Sequence, residues 1–332
     1  MEDRSRWRRT PVTQTPLAVR SHRERISVVG DVLEIAGRLG IQCTDPVVLS
    51  DSGNLTVHLG PHPVVARVAK LFPGDDAEFW RTVWTAELHV ARHLSTRGVP
   101  VVPPCMSVNP GPHPVGGTWM TLWEYMRPAA LPPLSGERAA EMIDDLRQAI
   151  ADFQWPLARL GAWRHLAAAS EHLRTAAGGD ARIARLVTLC QRVDARMGSV
   201  DALYPAHGDA HPGNLLPTTG GWRWIDFEDV SLMPRFWDHA SFVGNMALFH
   251  GIEHPVVRYV LAGVVTTADR AAFRLTLRAR LVMSTACNLS LALRGWGDLD
   301  FAQAQLQRLG GFLDRLDEGL WTAEGAGCQR PL

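Results

Sequence analysis

The sequence predicts an α+β protein of two unequal lobes: a small antiparallel β lobe with one helix, and a larger, mainly helical lobe. Three observations carry this. Short apolar runs broken by turn residues crowd residues 47–68 and return at 119–125. Beyond a proline-rich stretch at 128–133, most segments repeat their apolar residues at three- and four-residue spacing. The length, 332 residues, suits about two such lobes.

The elements follow in order. Residues 1–25 hold seven arginines against three acids and no apolar run, so a basic, disordered arm is expected rather than a signal peptide. Residues 26–39 place Ile26, Val29, Val32, Leu33, Ala36 and Leu39 on one helical face, stopped by Gly40. Residues 47–49, 55–59 and 64–68 read as a meander of strands, with turns at 50–54 and at Pro61 and Pro63. A helix over 75–97 repeats Phe79, Val83, Ala86, Val90 and Leu94 and ends at Gly98. An apolar strand at 119–125 closes the small lobe, taken as 26–127 with its leading helix.

The large lobe is expected over 128–322, with 323–332 a flexible tail. Ser135 is a fitting N-cap for a helix running to Phe153. Further helices are expected near 158–177, 181–197, 235–250, 255–264, 268–294 and 300–320. Residues 204–230 break the pattern as a loop followed by a short hairpin around Gly220 and Gly221.

Composition narrows the function. The chain has 34 basic and 34 acidic side chains, a balance that argues against a nucleic-acid partner. No apolar run reaches the roughly 18 residues of a membrane span, so no membrane partner is expected. The five cysteines form no C-x-x-C, which indicates neither a zinc site nor a disulfide framework and suits a reducing cytoplasm. Lys70 is the only lysine. Composition leaves the oligomeric state open.

The chemistry concentrates in His207-Gly208-Asp209-Ala210-His211-Pro212-Gly213-Asn214 and, after a hairpin, Ile225-Asp226-Phe227-Glu228-Asp229. Residues 201–240 contain six acids and two arginines, a locally acidic stretch that a divalent cation would offset. Phosphoryl transfer from a nucleotide needs a group to orient the attacking hydroxyl and oxygen ligands for Mg²⁺. Mg²⁺ takes one or two protein carboxylates and fills its remaining positions with phosphate and water. One candidate base, one amide oxygen and one metal carboxylate stand here in that order.

This pair of motifs resembles the aminoglycoside phosphotransferase and choline kinase superfamily, which has the protein-kinase-like bilobal fold. The likeness spans about residues 45–245. It includes Arg235-Phe236-Trp237-Asp238-His239-Ala240, Glu87 with the later Gly98-Val99-Pro100, and Leu122-Trp123-Glu124-Tyr125-Met126. The resemblance implies ATP or GTP as donor, Mg²⁺ as metal and a small-molecule hydroxyl as acceptor. It assigns Asp209 as catalytic base and Asn214 and Asp226 as metal ligands. Ser52, Gly53, Asn54, Arg67, Glu87, Glu124 and Met126 become nucleotide-side residues. His207 and Asp238 are expected to support the loop, His211 to support it or do nothing, and Glu228 and Asp229 to tune the metal region or stay solvated.

Two departures from the pattern follow. The phosphate loop at 50–54 has one glycine, although its backbone amides can still cap a phosphate. The strand that the resemblance would give a lysine offers Arg67, with Lys70 three residues on as the alternative; alternation puts the two on opposite faces, and Arg67 is favoured as the partner of Glu87. Arginine suits the task, being permanently charged and able to grip phosphate bidentately. Residues 241–332 hold eight acids and nine arginines, so the acceptor region is not acidic in bulk. An acceptor that is neutral or modestly charged is therefore expected, such as a glycosylated antibiotic, a sugar or an amino alcohol. A catalytically silent kinase-like module is the alternative, and the complete Asp209, Asn214 and Asp226 set speaks against it.

Overall fold

The computed structural model describes residues 22–51, 54–69, 76–263 and 267–318. The small lobe opens with α1 (His22–Arg38), which starts four residues before the expected helix. Strands β1 (Asp45–Ser50), β2 (Leu55–Gly60) and β3 (Val64–Val68) precede α2 (Ala77–Thr96), and β4 (His113–Val115) and β5 (Thr118–Glu124) follow it. The five strands form one antiparallel sheet in the order β1-β2-β3-β5-β4.

Alternation divides the sheet residues between its two faces. Leu55, Val57, Leu59, Val64, Ala66, Val68, Met120 and Leu122 pack with Val32 and Ala36 of α1. Val65 and Trp123, on the other face, join the large core with Leu88 and Ala91 of α2. The register sets Arg67 opposite Thr56 and Thr121, on the α2 face. Asp76 starts α2 by accepting from the Glu78 and Phe79 backbone N–H groups.

The large lobe contains α3 (Gly136–Ile150), α4 (Arg164–Ala176), α5 (Ala181–Gly198), α6 (Trp237–His250), α7 (Pro255–Ala262), α8 (Thr267–Leu293) and α9 (Leu299–Glu318). Ser135 caps α3 as expected, through the Arg138 N–H. Four short strands stand among these helices: β6 (Leu203–Ala206), β7 (Leu215–Thr218), β8 (Gly221–Trp224) and β9 (Ser231–Pro234). β7 pairs with β8 in the expected hairpin. The β6–β9 pair corrects the expectation of a plain loop, because strands of four residues are too short to show a period. The expected helix at 158–177 also begins later, at Arg164, preceded by a 3₁₀ turn over Gly161–Trp163.

Backbone hydrogen bonds help to tie the lobes together. Trp224 N donates to Pro100 O at 2.8 Å and Val102 N to Trp224 O at 3.0 Å, so the segment after α2 runs alongside β8. α8 packs against α4, α5, α6 and α9 and forms the spine of the helical lobe. Arg274 and Arg278, one turn apart on α8, both meet Asp317 of α9.

Candidate active site

Arg67 anchors the small-lobe side. Its Nη1 lies 2.5 Å from Glu87 Oε1, and its Nη2 lies 2.5 Å from Asp226 Oδ1 and 2.7 Å from Glu228 Oε2. Glu87 is fully buried and also accepts from Phe227 N at 3.0 Å. Burial raises the Glu87 carboxyl above its ordinary range, with Arg67 opposing the shift. Burial, then the Asp226 charge, pushes Glu228 up. Burial opposes the charge on Arg67 itself, but the three carboxylates outweigh it and raise its guanidinium further. Three acids around one arginine leave this corner short of positive charge.

The loop before β7 is held by buried groups. Asp238 at the start of α6 accepts from His207 N at 2.9 Å and Gly208 N at 3.1 Å. Trp237 Nε1 donates to Gly208 O at 2.7 Å. The His207 ring is buried against Phe227, centroids 4.4 Å apart, with Nε2 3.1 Å from Ile225 O. His207 and Asp238 therefore stand where loop-supporting residues should. Gly208 has φ +89°, and a Cβ there would run into the Asp229 carbonyl. Asp226 itself adopts a left-handed φ of 69°, a conformation concentrated at functional sites.

Asp209 projects from this loop. Asn214 Nδ2 donates to Asp209 O at 2.9 Å, which directs the Asn214 carbonyl oxygen away from the loop backbone. His211 Nδ1 accepts from Gly213 N at 3.0 Å, and its Nε2 stands 3.3 Å from Asp209 Oδ2. Arg280 Nη2 of α8 donates to Asp209 Oδ1. Burial alone would raise the Asp209 carboxyl, but Arg280 and His211 override it and hold the group well below the usual carboxylate range.

Ile225 N donates to Asn214 O at 3.0 Å, so the 3₁₀ turn Pro212–Asn214 and the segment leading to Asp226 run side by side. Among the described residues no three His, Cys, Asp or Glu side chains form a metal cage. Mg²⁺ does not need one: a carboxylate, an amide oxygen and substrate phosphates meet its preference for six oxygens. The charge imbalance around Arg67 and the orientation of Asn214 fit such an ion.

The remaining nucleotide-side residues are less uniform. Ser52, Gly53 and Lys70 lie outside the described residues. Asn54 Nδ2 reaches Glu228 Oε2 at 3.3 Å, linking the phosphate-loop region to the acidic segment. The Glu124 carboxylate accepts from Met106 N at 2.9 Å, and its backbone N donates to Pro103 O at 3.0 Å. Tyr125 N donates to Pro63 O, while the Met126 backbone N–H and C=O carry no hydrogen bond among the described residues.

Two features escape the sequence reading. Asp229 is not solvated: its side chain is 15% exposed and meets Arg164 at 2.9 Å and His165 at 3.0 Å. Burial would raise the Asp229 carboxyl, but these partners hold it below its ordinary value. Arg280 is the other. Its signal was an arginine near the helical positions of Phe273 and Leu277, on a buried face of α8.

A sheet lobe on a helical lobe, with a loop aspartate, an amide and a second aspartate at their junction, defines a protein-kinase-like fold. The model of the phosphotransferase enzyme family (APH) matches residues 48–275, more than half of the chain, and the protein belongs to that family. It is therefore a phosphotransferase, an enzyme of the small-molecule kinase kind. Among solved structures, the amicoumacin kinase hAmiN in complex with AMP-PNP, Ca²⁺ and Ami is similar at 14% identity and TM-score 0.64, covering 90% of this chain and 96% of that one. A choline/ethanolamine kinase family protein from Mesorhizobium loti matches at 15% identity and TM-score 0.57, covering 86% of this chain and 97% of its own. A thermostable mutant of the aminoglycoside phosphotransferase APH(4)-Ia, in a ternary complex with ADP and hygromycin B, matches at 13% identity and TM-score 0.58, covering 87% and 98%. At these identities the likeness speaks for the fold. No curated protein matches the chain significantly.

Proposed function

We propose that the protein transfers the γ-phosphate of ATP or GTP, with Mg²⁺, to a hydroxyl of a small molecule such as an antibiotic, a sugar or an amino alcohol. The observation that carries this reading is the joint presence of Asp209, Asn214 and Asp226 beside the Arg67–Glu87 pair, linked by the contacts Arg67–Asp226 and Asn214–Asp209. Asp209 orients the acceptor hydroxyl and takes its proton. Asn214 and Asp226 are the metal ligands. Held by Asn214 and Asp226, Mg²⁺ would offset the negative charge of the phosphates during transfer. Arg67, braced by Glu87, grips the nucleotide phosphates once Asp226 leaves its Nη2 for the metal. The main chain of Glu124 and Met126, with the loop carrying Ser52, Gly53 and Asn54, completes the nucleotide side. The amicoumacin kinase complex, with its nucleotide analogue and divalent cation, supports this division of labour by analogy of fold.

The test is a Mg-ATP and Mg-GTP consumption screen against antibiotics, sugars and amino alcohols, repeated with Asp209→Asn. Loss of a general base costs roughly 10²–10⁴ in rate, so kcat should fall by about a thousandfold while Mg-nucleotide affinity stays near wild type. Turnover by the variant above about a hundredth of wild type would overturn the assignment of the base.

A further inference from the structure

Arg280 sits on α8 with its side chain 9% exposed. Its Nη2 binds Asp209 Oδ1, its guanidinium carbon lies 5.9 Å from the centre of the Trp237 ring, and its Nε is buried with no hydrogen-bond partner. Among the described residues Asp209 is the one acid within ion-pair distance of it. The nearby Asp229 is committed to Arg164 and His165. A guanidinium has five donors, and a buried one held only for structure is normally met by matching acceptors. This one meets a single carboxylate oxygen. That carboxylate must also serve a hydroxyl if Asp209 is the base, so the present pairing competes with its task.

We propose that Arg280 is the acceptor-recognition residue, and that its guanidinium binds an oxyanion, carboxylate or phosphate, carried by the acceptor beside the hydroxyl that Asp209 receives. The inference rests on the phosphotransferase reading and names the class of its acceptor. An arriving oxyanion replaces Asp209 as the partner of Arg280, engages it bidentately, and leaves Asp209 Oδ1 to the hydroxyl. In the transfer, the acceptor oxygen bonds to the γ-phosphorus and the bond from that phosphorus to the β-γ bridging oxygen breaks. The nucleoside diphosphate leaves and the hydroxyl proton passes to Asp209. An amine in the same place would face a buried cation, so polycationic acceptors are rejected by like charge. The charge of residues 241–332, eight acids against nine arginines, runs the same way.

Four probes on one three-carbon backbone separate the classes: glycerate (carboxylate), glycerol 3-phosphate (phosphate), glycerol (neutral) and serinol (cationic). Their binding to the full chain with saturating Mg-ADP is measured by calorimetry for the wild type, Arg280→Met and Arg280→Lys. The wild type should bind at least one anionic probe about tenfold or more tighter than glycerol and serinol, a preference of the size expected for a charge-assisted contact. The stronger of the two anions identifies the headgroup. Arg280→Met should erase the preference and Arg280→Lys restore part of it, with Mg-ADP affinity unchanged in both. A purely structural role would instead lower melting temperature and Mg-ADP affinity together and leave the ratio between probes alone. Intact Mg-ADP binding with no anion preference, or a preference that survives Arg280→Met, overturns this inference alone. Absence of Mg-ADP binding by the wild type overturns the reading beneath it as well.

Discussion

Gly208 shows how much of the site depends on one missing atom. Its φ of +89° and the adjacent Asp229 carbonyl leave no room for a Cβ. Gly208→Ala should therefore strain the loop that presents Asp209. A side chain forced into a positive φ costs about 1–3 kcal/mol, and the collision adds to it. The expected result is a lower melting temperature in calorimetry together with a kcat loss; an alanine variant with wild-type values for both would contradict the geometry. Arg67 carries a different lesson. Its identity and face follow from alternation along β3, because Val64, Ala66 and Val68 turn to the α1 side. What alternation does not reveal is that Asp226 and Glu228 share the same guanidinium.

At the scale of elements, α8 matters most. It packs on four other helices and carries both Arg280 and Cys287. Cys287 and Cys190 of α5 are free thiols, and burial pushes each up to about 12, for Cys287 against the opposing charge of Arg280. A thiolate is the reactive form. Alkylation of these two by iodoacetamide at pH 8, followed by peptide mass spectrometry, should be about a hundredfold or more slower in the native protein than in denaturant. Equal rates in both states would show that the packing of α5 and α8 is looser than described. The short strands β6 and β9 explain why loop geometry was only partly legible. Each has four residues, and their pairing joins Ala206, next to the candidate catalytic loop, to Ser231, next to the acidic segment. Ser231 Oγ then accepts from Ala162 N at 3.0 Å and donates to Asp229 O at 2.9 Å. The Ala206–Ser231 and Ala162–Ser231 contacts join positions too far apart in sequence for a local pattern to hold both.

For the molecule as a whole, the two lobes bring unequal charge to one junction. Glu87, Asp226 and Glu228 outnumber Arg67 there. A cation and a nucleotide should therefore bind together and hold the lobes in one arrangement. Ligand at a hundred times its dissociation constant stabilises a fold by about 2.7 kcal/mol. Mg-ADP should raise the melting temperature by several degrees; Mg²⁺-free ADP with EDTA should not, and EDTA should abolish turnover. Asp226→Ala should lose the Mg²⁺-dependent part of the shift, and an unchanged shift would remove Asp226 from the metal set. No helix among the described residues is long and apolar enough to cross a membrane, in keeping with the balanced composition.

The sequence by itself determined the two-lobe α+β plan, the order of its helices, and the stretch holding Asp209, Asn214 and Asp226. Those features are local: periodicity, caps and a motif pair all lie within a few turns of chain. Glu87 as the partner of Arg67 was readable through the family resemblance, with strand alternation fixing only the face that Arg67 takes. Only the tertiary structure decided that Asp229 is buried between Arg164 and His165, that the β6–β9 pair joins the candidate catalytic loop to the acidic segment, and that Arg280 reaches Asp209. These contacts span tens of residues, and their energy comes from burial that no local pattern records. An arginine on an apolar helix face is legible as an anomaly, but its partner is fixed only when the helices pack.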